Sequence, residues 1–267
     1  MLDVDFEWFD PNPEVDFHGL KNLLRQLFDV DNELFDLSAL ADMILAQPLL
    51  GSTVKASEDD DVPTKEGDPY AFLSVLNLHE HRDKPVVQAL TRYLIARSQS
   101  IPALAPLASL LDPTSSSQVG LILTERFINM PTEIVPPMYT MLLEELQWAL
   151  DEKEPYKFSH YLVLSKTYTE VASKLDAEET RPNKKKKAQD TQAETFFFHP
   201  EDEAMHKFAS GYGNFEYEKQ GADGASDAKR TFQELGIKPQ GHMMLIDGEK
   251  FADAVKGLTE YLGGVPA

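Results

Sequence analysis

Not one of the 267 residues is cysteine. That removes disulfides, thiol catalysis and Cys-ligated zinc, and with them the framework of many small secreted domains. The 14 glycines never fall into G-x-G-x-x-G or G-x-x-x-x-G-K-[ST], so neither common phosphate cradle is present. A G-x-S-x-G nucleophile elbow is also missing. No apolar run approaches the ~20 residues a membrane helix needs; the longest, around Val119–Leu123, is strand-sized. The N-terminal MLDVDFEWFDPNPE is acidic and has no apolar h-region, so no signal peptide is expected and the chain reads as soluble and intracellular. Positive charge is scarce, with 25 Lys and Arg against 45 Asp and Glu, a net charge of −20.

What charge there is, is separated. Residues 1–68 hold 17 acidic against 4 basic side chains, net −13, whereas RPNKKKK, Arg181 to Lys187, carries +5 and no acid. An acidic body draws basic partners through a long-range field and repels nucleic acid and anionic membrane. Candidate partner-binding carboxylates, chosen by charge density, are Asp3, Asp5, Glu7, Glu58, Asp59, Asp60 and Asp61. Arg181, Lys184, Lys185, Lys186 and Lys187 have the density of a monopartite nuclear import signal. Direct nucleic-acid binding is not expected, because four lysines on so acidic a chain leave a weak footprint.

Hydrophobic content of 42%, with 15 Phe, 9 Tyr and 2 Trp, supports a substantial core. Val4 to Phe9 alternates like a half-buried strand, and Asp16 is placed to cap a helix with Phe17, Leu20, Leu23, Leu24, Leu27 and Phe28 on one face. Asp36 or Ser38 can cap a second helix. Strands are expected at Leu50–Ala56, Tyr70–Leu78, Val119–Phe127, Phe158–Tyr168, Thr195–Phe198 and Met243–Ile246. Helices are expected from Pro85, through Met138–Leu150, as a turn at Glu201–Phe208 and at Phe251–Leu262. Residues 57–67 read as a mobile acidic loop and 178–192 as a disordered charged linker, within a single α/β domain spanning 1–267. The interleaving of strands and helices predicts a mixed central sheet flanked by helices. No heptad seam is present, so a monomer is expected.

Few constellations point to chemistry. His79-Glu80-His81 would put two imidazoles on one face of a strand, yet zinc normally takes three or four positioned ligands, and the trio is better read as a polar strand end. No metal, cofactor or catalytic residue is assigned. Glu125 and Arg126, at the end of an apolar strand, are read as a buried or edge salt bridge. The acids between His199 and His206 are explained by a helix N-terminus.

Several long strings together resemble the BCCIP family of eukaryotic nuclear proteins. They are Asp5–Pro11 (DFEWFDP), Tyr70–Leu94, Val119–Leu146, Tyr156–Tyr168 and Phe197–Glu203 (FFHPEDE), and the resemblance covers most of the chain. It implies a fold akin to that of the GCN5-related acetyltransferases, without the [QR]-x-x-G-x-[GA] loop that grips the cofactor pyrophosphate. The corresponding stretch here, Asn129 to Glu133 (NMPTE), contains proline and glutamate. It further implies a non-enzymatic acidic chaperone that binds a basic large-subunit ribosomal protein and supports nuclear transport and ribosome biogenesis, shuttling between nucleus and cytoplasm. Nuclear transport receptors and a phosphatidylinositol phosphate kinase are the other implied partners. A degenerate acetyl-CoA-dependent transferase, or a scaffold for DNA-repair and cell-cycle partners, are the alternatives. Family members often carry an acidic N-terminal extension; Met1 stands directly before the first expected strand, as in a chain trimmed of it.

Overall fold

The structure, a computed structural model, describes residues 5–47, 50–56, 67–170, 194–219 and 237–263. Eight strands of the described residues form one sheet, in the order β1 (Phe6–Phe9), β2 (Ser52–Ala56), β3 (Ala71–Asn77), β4 (Val119–Arg126), β5 (His160–Glu170), β8 (Ile237–Asp247) and β7 (Ala209–Phe215); β6 (Thr195–Phe197) pairs with β5 off this path. Every pairing is antiparallel except β4 with β5. A parallel pair needs a crossover, and α5 (Val135–Asp151) supplies it.

Both faces of the sheet are covered, which is why the central strands read as continuous apolar sequence. Along β4, Leu121 and Leu123 join one core while Ile122 between them joins the other. The first core is closed by α1 (Phe17–Phe28), α2 (Leu37–Leu45), α3 (Pro85–Ser98) and the short α4 (Leu107–Leu110). The second is closed by α5 and the C-terminal α7 (Phe251–Gly263), against which the five-residue α6 (Glu201–Met205) packs.

The α1 stripe is buried as its spacing predicts, and Asp36 caps α2 by accepting from the Ser38 and Ala39 amides. Asp16 stands at the start of α1 but does not cap it. Its carboxylate accepts the Asn12 amide at 2.8 Å and pairs with Lys55 at 2.6 Å, both side chains buried. A buried lysine on β2 needs a counter-charge more than the helix end needs a cap. The His79-Glu80-His81 trio is likewise off the strand. It lies in the turn before α3, where the Asn77 Oδ1 accepts the His79 and Glu80 amides and the His79 ring meets the Arg82 guanidinium. At the C-terminal end, β8 is far longer than Met243–Ile246, because it continues through Pro239. Its β7 pairing ends at Phe215↔Gly241, so Pro239 lies beyond the β7 ladder, a place that tolerates a missing amide.

Gly51 shows how closely α5 and β3 constrain the entry to β2. Its φ is +99°, a Cβ there would fall 2.4 Å from the Leu73 carbonyl oxygen, and its amide donates to Glu145 Oε2 at 2.7 Å. We expect Gly51→Ala to lower the unfolding free energy by about 1–3 kcal/mol, measured by urea denaturation, since both the dihedral and the contact oppose a side chain.

Candidate functional site

The parallel ladder between β4 and β5 runs from Val119↔His160 to Leu123↔Leu164 and stops, though β4 continues to Arg126 and β5 to Glu170. Beyond that point β5 takes β6 as its neighbour, at Thr167↔Phe197 to Thr169↔Thr195. The fork so formed is filled by buried charge. Strand alternation places Glu125 and Lys166 on the α1 side, following Leu123 and Leu164, and Arg126 and Ser165 on the α5 side. The chain after β6 brings in His199, Glu201 and Asp202, all buried.

On the α1 side, Lys166 Nζ is 2.5 Å from Glu125 Oε2, donates to the Gln26 carbonyl at 3.1 Å and lies over the Phe198 ring. Gln26 closes the loop by donating its side-chain amide to the Arg126 carbonyl at 2.8 Å. On the α5 side, Arg126 grips Glu201 with both terminal nitrogens, and Ser165 donates its hydroxyl to Asp202. His199 joins the two halves, with Nε2 3.1 Å from Glu125 Oε1 and Nδ1 3.7 Å from Glu201 Oε1. An imidazolium flanked by two carboxylates is the protonation state this geometry favours.

Electrostatics agree with that. Burial alone would raise the Glu125 pKa, but the His199 and Lys166 charges outweigh it and hold the carboxyl at about 2. Burial works against protonation of His199 too, and Glu125 and then Glu201 overcome it, so its pKa rises. At Asp202 burial is the largest influence, and together with the repulsion of Glu201 it outweighs the His199 charge and the Ser165 hydrogen bond and raises the pKa to about 7. The network thus sets Arg126, Lys166 and the His199 imidazolium among three carboxyl groups, of which Asp202 holds its proton up to about neutrality.

A second pair, half-buried His206 and buried His242, lies nearby. His206 Nε2 and His242 Nε2 are 2.9 Å apart, the His242 Nδ1 is 2.6 Å from Asn214 Oδ1, and Tyr212 stacks on the His206 ring at 3.7 Å. Burial lowers the two imidazole pKa values to about 4 and about 3. Both rings are therefore neutral, with His242 donating to Asn214 and accepting from His206. Among the described residues no group of three or more His, Cys, Asp or Glu could hold a metal ion.

Of the candidate partner-binding carboxylates, Asp5 and Glu7 are exposed at the edge strand β1, with Glu7 opposite Lys55 in register. Asp3, Glu58, Asp59, Asp60 and Asp61 lie outside the described residues, as do Arg181 and Lys184–Lys187, the bulk of the 57–67 loop and the 178–192 linker. Glu125 and Arg126 are in buried ion pairs as expected, but with different partners rather than with each other. Glu201 and Asp202 do sit in the first turn of a helix, as expected, and they are in addition buried against Arg126 and Ser165. Lys166 was not singled out by the sequence at all, because strand alternation reads it as an ordinary polar position.

The architecture is that of a mixed α/β protein built on a largely antiparallel sheet, whose only parallel step among the described residues is the fork that holds the network. The BCCIP family model matches residues 1–205, a span that includes β1 through α6 and every member of the network. The chain is 62% identical over 262 residues to "Protein bcp1" of Aspergillus fumigatus, covering 98% of this chain and 88% of that protein. It is 52% identical to "Protein bcp1" of Schizosaccharomyces pombe, covering 97% and 90%. The crystal structure of BCP1 from Saccharomyces cerevisiae superposes with a TM-score of 0.64 at 28% identity, over 99% of this chain and 92% of that one. The chain belongs to the BCCIP family.

Removing one partner of a buried pair leaves the other uncompensated. We expect Glu201→Ala to cost about 3–5 kcal/mol in urea denaturation, and the Arg126→Met/Glu201→Leu pair to cost much less than the sum of its single changes. The pH dependence has a definite sign. The folded state holds the Asp202 proton up to about 7 against an ordinary 3.8, so Asp202 makes stability fall as pH rises across that window. Asp202→Asn removes this fall, so its melting temperature relative to the parent protein should be higher at pH 8 than at pH 5.

Proposed function

We propose that this protein is a non-enzymatic acidic escort that shields a basic large-subunit ribosomal protein between nuclear import and ribosome assembly. The observation that carries the reading is the disposition of charge. The chain has a net charge of −20 although RPNKKKK contributes +5, so the remainder carries −25. Lys55, Arg126 and Lys166 are buried in ion pairs, but their partners Asp16, Glu201 and Glu125 are buried with them, so these pairs leave the balance unchanged. The exterior is left with an excess of carboxylate over cation, which speeds encounter with cationic proteins and suppresses contact with nucleic acid. Asp3, Asp5, Glu7 and the Glu58–Asp61 run are the carboxylates assigned to that field, and Arg181 with Lys184–Lys187 to nuclear import. Transport receptors would read that run as the protein shuttles between nucleus and cytoplasm.

The family relationship supports a protein without enzymatic activity, since the names of its relatives specify none. We infer further that the fold is akin to that of the GCN5-related acetyltransferases, adapted to binding. An acyl-CoA would require backbone amides from the loop that follows β4. That loop contains Pro131, which has no amide hydrogen, and the fork beside it is filled by His199, Glu201 and Asp202 from the chain itself. The reading is tested by passing proteins extracted at high salt from purified 60S subunits over the immobilised chain. One stoichiometric basic protein, eluting between low and moderate salt without RNA, is the expected result; retention of none of them refutes the escort. Acetyl-CoA should leave the melting curve unmoved, whereas a ligand at a hundred times its Kd adds about 2.7 kcal/mol to stability.

A further inference from the structure

Phe6, Tyr70, Phe127 and Ile128 meet at one corner of the sheet, where β1 and β3 begin and β4 ends. The Phe6 and Tyr70 rings are edge to face at 6.5 Å, and Tyr70 and Phe127 at 5.9 Å. The Phe127 amide donates to the Tyr70 carbonyl at 3.0 Å, and the Met130 amide to the Phe127 carbonyl at 3.0 Å. The turn bearing Ile128 is therefore held on both sides, and its base, Arg126, is locked into the buried network by Glu201 and Gln26. This is a rigid surface, yet it is apolar. Ile128 is 85% exposed, Tyr70 40% and Phe127 38%. An exposed isoleucine that follows Phe127 directly, where the Phe127 ring meets that of Tyr70, leaves apolar surface open to water, and aromatic anchors of this kind dominate interface energetics.

The surroundings say what would cover it. Asp5, Glu7, Asp68 and Glu133 are exposed close by in sequence, beside Phe6, Tyr70 and Ile128. The two cations nearest along the strands, Lys55 opposite Glu7 and Arg126 next to Phe127, are both buried in ion pairs. An apolar centre with an acidic rim repels an anionic membrane, and it repels a second copy of itself. It suits a cationic polypeptide that carries an apolar side chain.

We propose that this corner is the docking surface of the protein, on which a Lys- or Arg-rich segment of the cargo places one apolar side chain against Tyr70, Phe127 and Ile128. The inference rests on the escort reading and specifies its surface. The rim carboxylates draw the segment in, within a screening length of about 8 Å at physiological salt, and the apolar centre sets how long it stays.

The test uses the 60S-extracted ribosomal proteins as probe, with the parent chain, Ile128→Ser, Phe127→Ser/Ile128→Ser, and Trp148→Ser as a control on an exposed aromatic of α5. The double variant should bind the retained protein about tenfold or more weakly, and what binding remains should fall more steeply with salt. Trp148→Ser should match the parent chain. Parental affinity in the double variant would overturn the surface and leave the escort reading intact, while failure of the parent chain to retain any ribosomal protein would overturn both. Should the double variant melt early, Ile128→Ser decides alone, because its side chain has so little to lose in folding; parental affinity there overturns the surface.

Discussion

Charge buried at the fork of β4 and β5 has to be neutralised from within, and that requirement fixes where four separated stretches of chain lie. Removing an ion from water costs several kcal/mol even after relaxation, so each charge in the fork is tolerable only with its partner in place. Glu125 and Arg126 arrive on β4, Lys166 on β5, Gln26 on α1, and His199 with Glu201 and Asp202 on the stretch after β6. None of these segments can shift without stranding a charge. Leucine and isoleucine packing on the two sheet faces would tolerate small slides; the ion network does not, and it makes the register of β6 and α6 definite although β6 contributes only three residues.

His199 has a special place because it crosses the sheet. Its ring nitrogens face Glu125, which belongs to the α1 side, and Glu201, which belongs to the α5 side. Where the β4–β5 ladder ends there is a gap through which a side chain can reach both layers. The gap itself follows from the single parallel pairing, since the crossover through α5 sets β5 beside β4 for only five residue pairs before the strands part.

Much of the fold could be read from periodicity, and the reasons for what could not are specific. The α1 stripe, the Asp36 cap and the continuous apolar run of β4 are local signals that burial then realised. Asp16 misled, because a carboxylate at a helix start has a good local explanation and its distant partner is invisible in one dimension; the helix start at Glu201–Asp202 was legible, but its buried partners were hidden in the same way. Lys166 gave no signal, since a lysine in an alternating strand is the commonest of exposed residues. Pro239 hid half of β8, as proline usually argues against a strand; only the knowledge that the β7 ladder stops at Phe215↔Gly241 shows why it is allowed there. The corner of Phe6, Tyr70, Phe127 and Ile128 was equally silent, being assembled from the ends of three strands. The acidic character of the surface, by contrast, was evident from counting alone.

The sheet also imposes an order on synthesis. β1 to β4 pair with neighbours in sequence, so that half can assemble as it leaves the ribosome. β5 finds β4 on one side but must wait for β8, its partner along all eleven residues, until nearly the whole chain has been made. During that interval the nascent protein presents an unpaired, strongly apolar strand edge, the kind of surface that invites aggregation or chaperone capture. A protein that we assign to shielding others thus leaves an edge of its own uncovered until its C-terminal strands have been made.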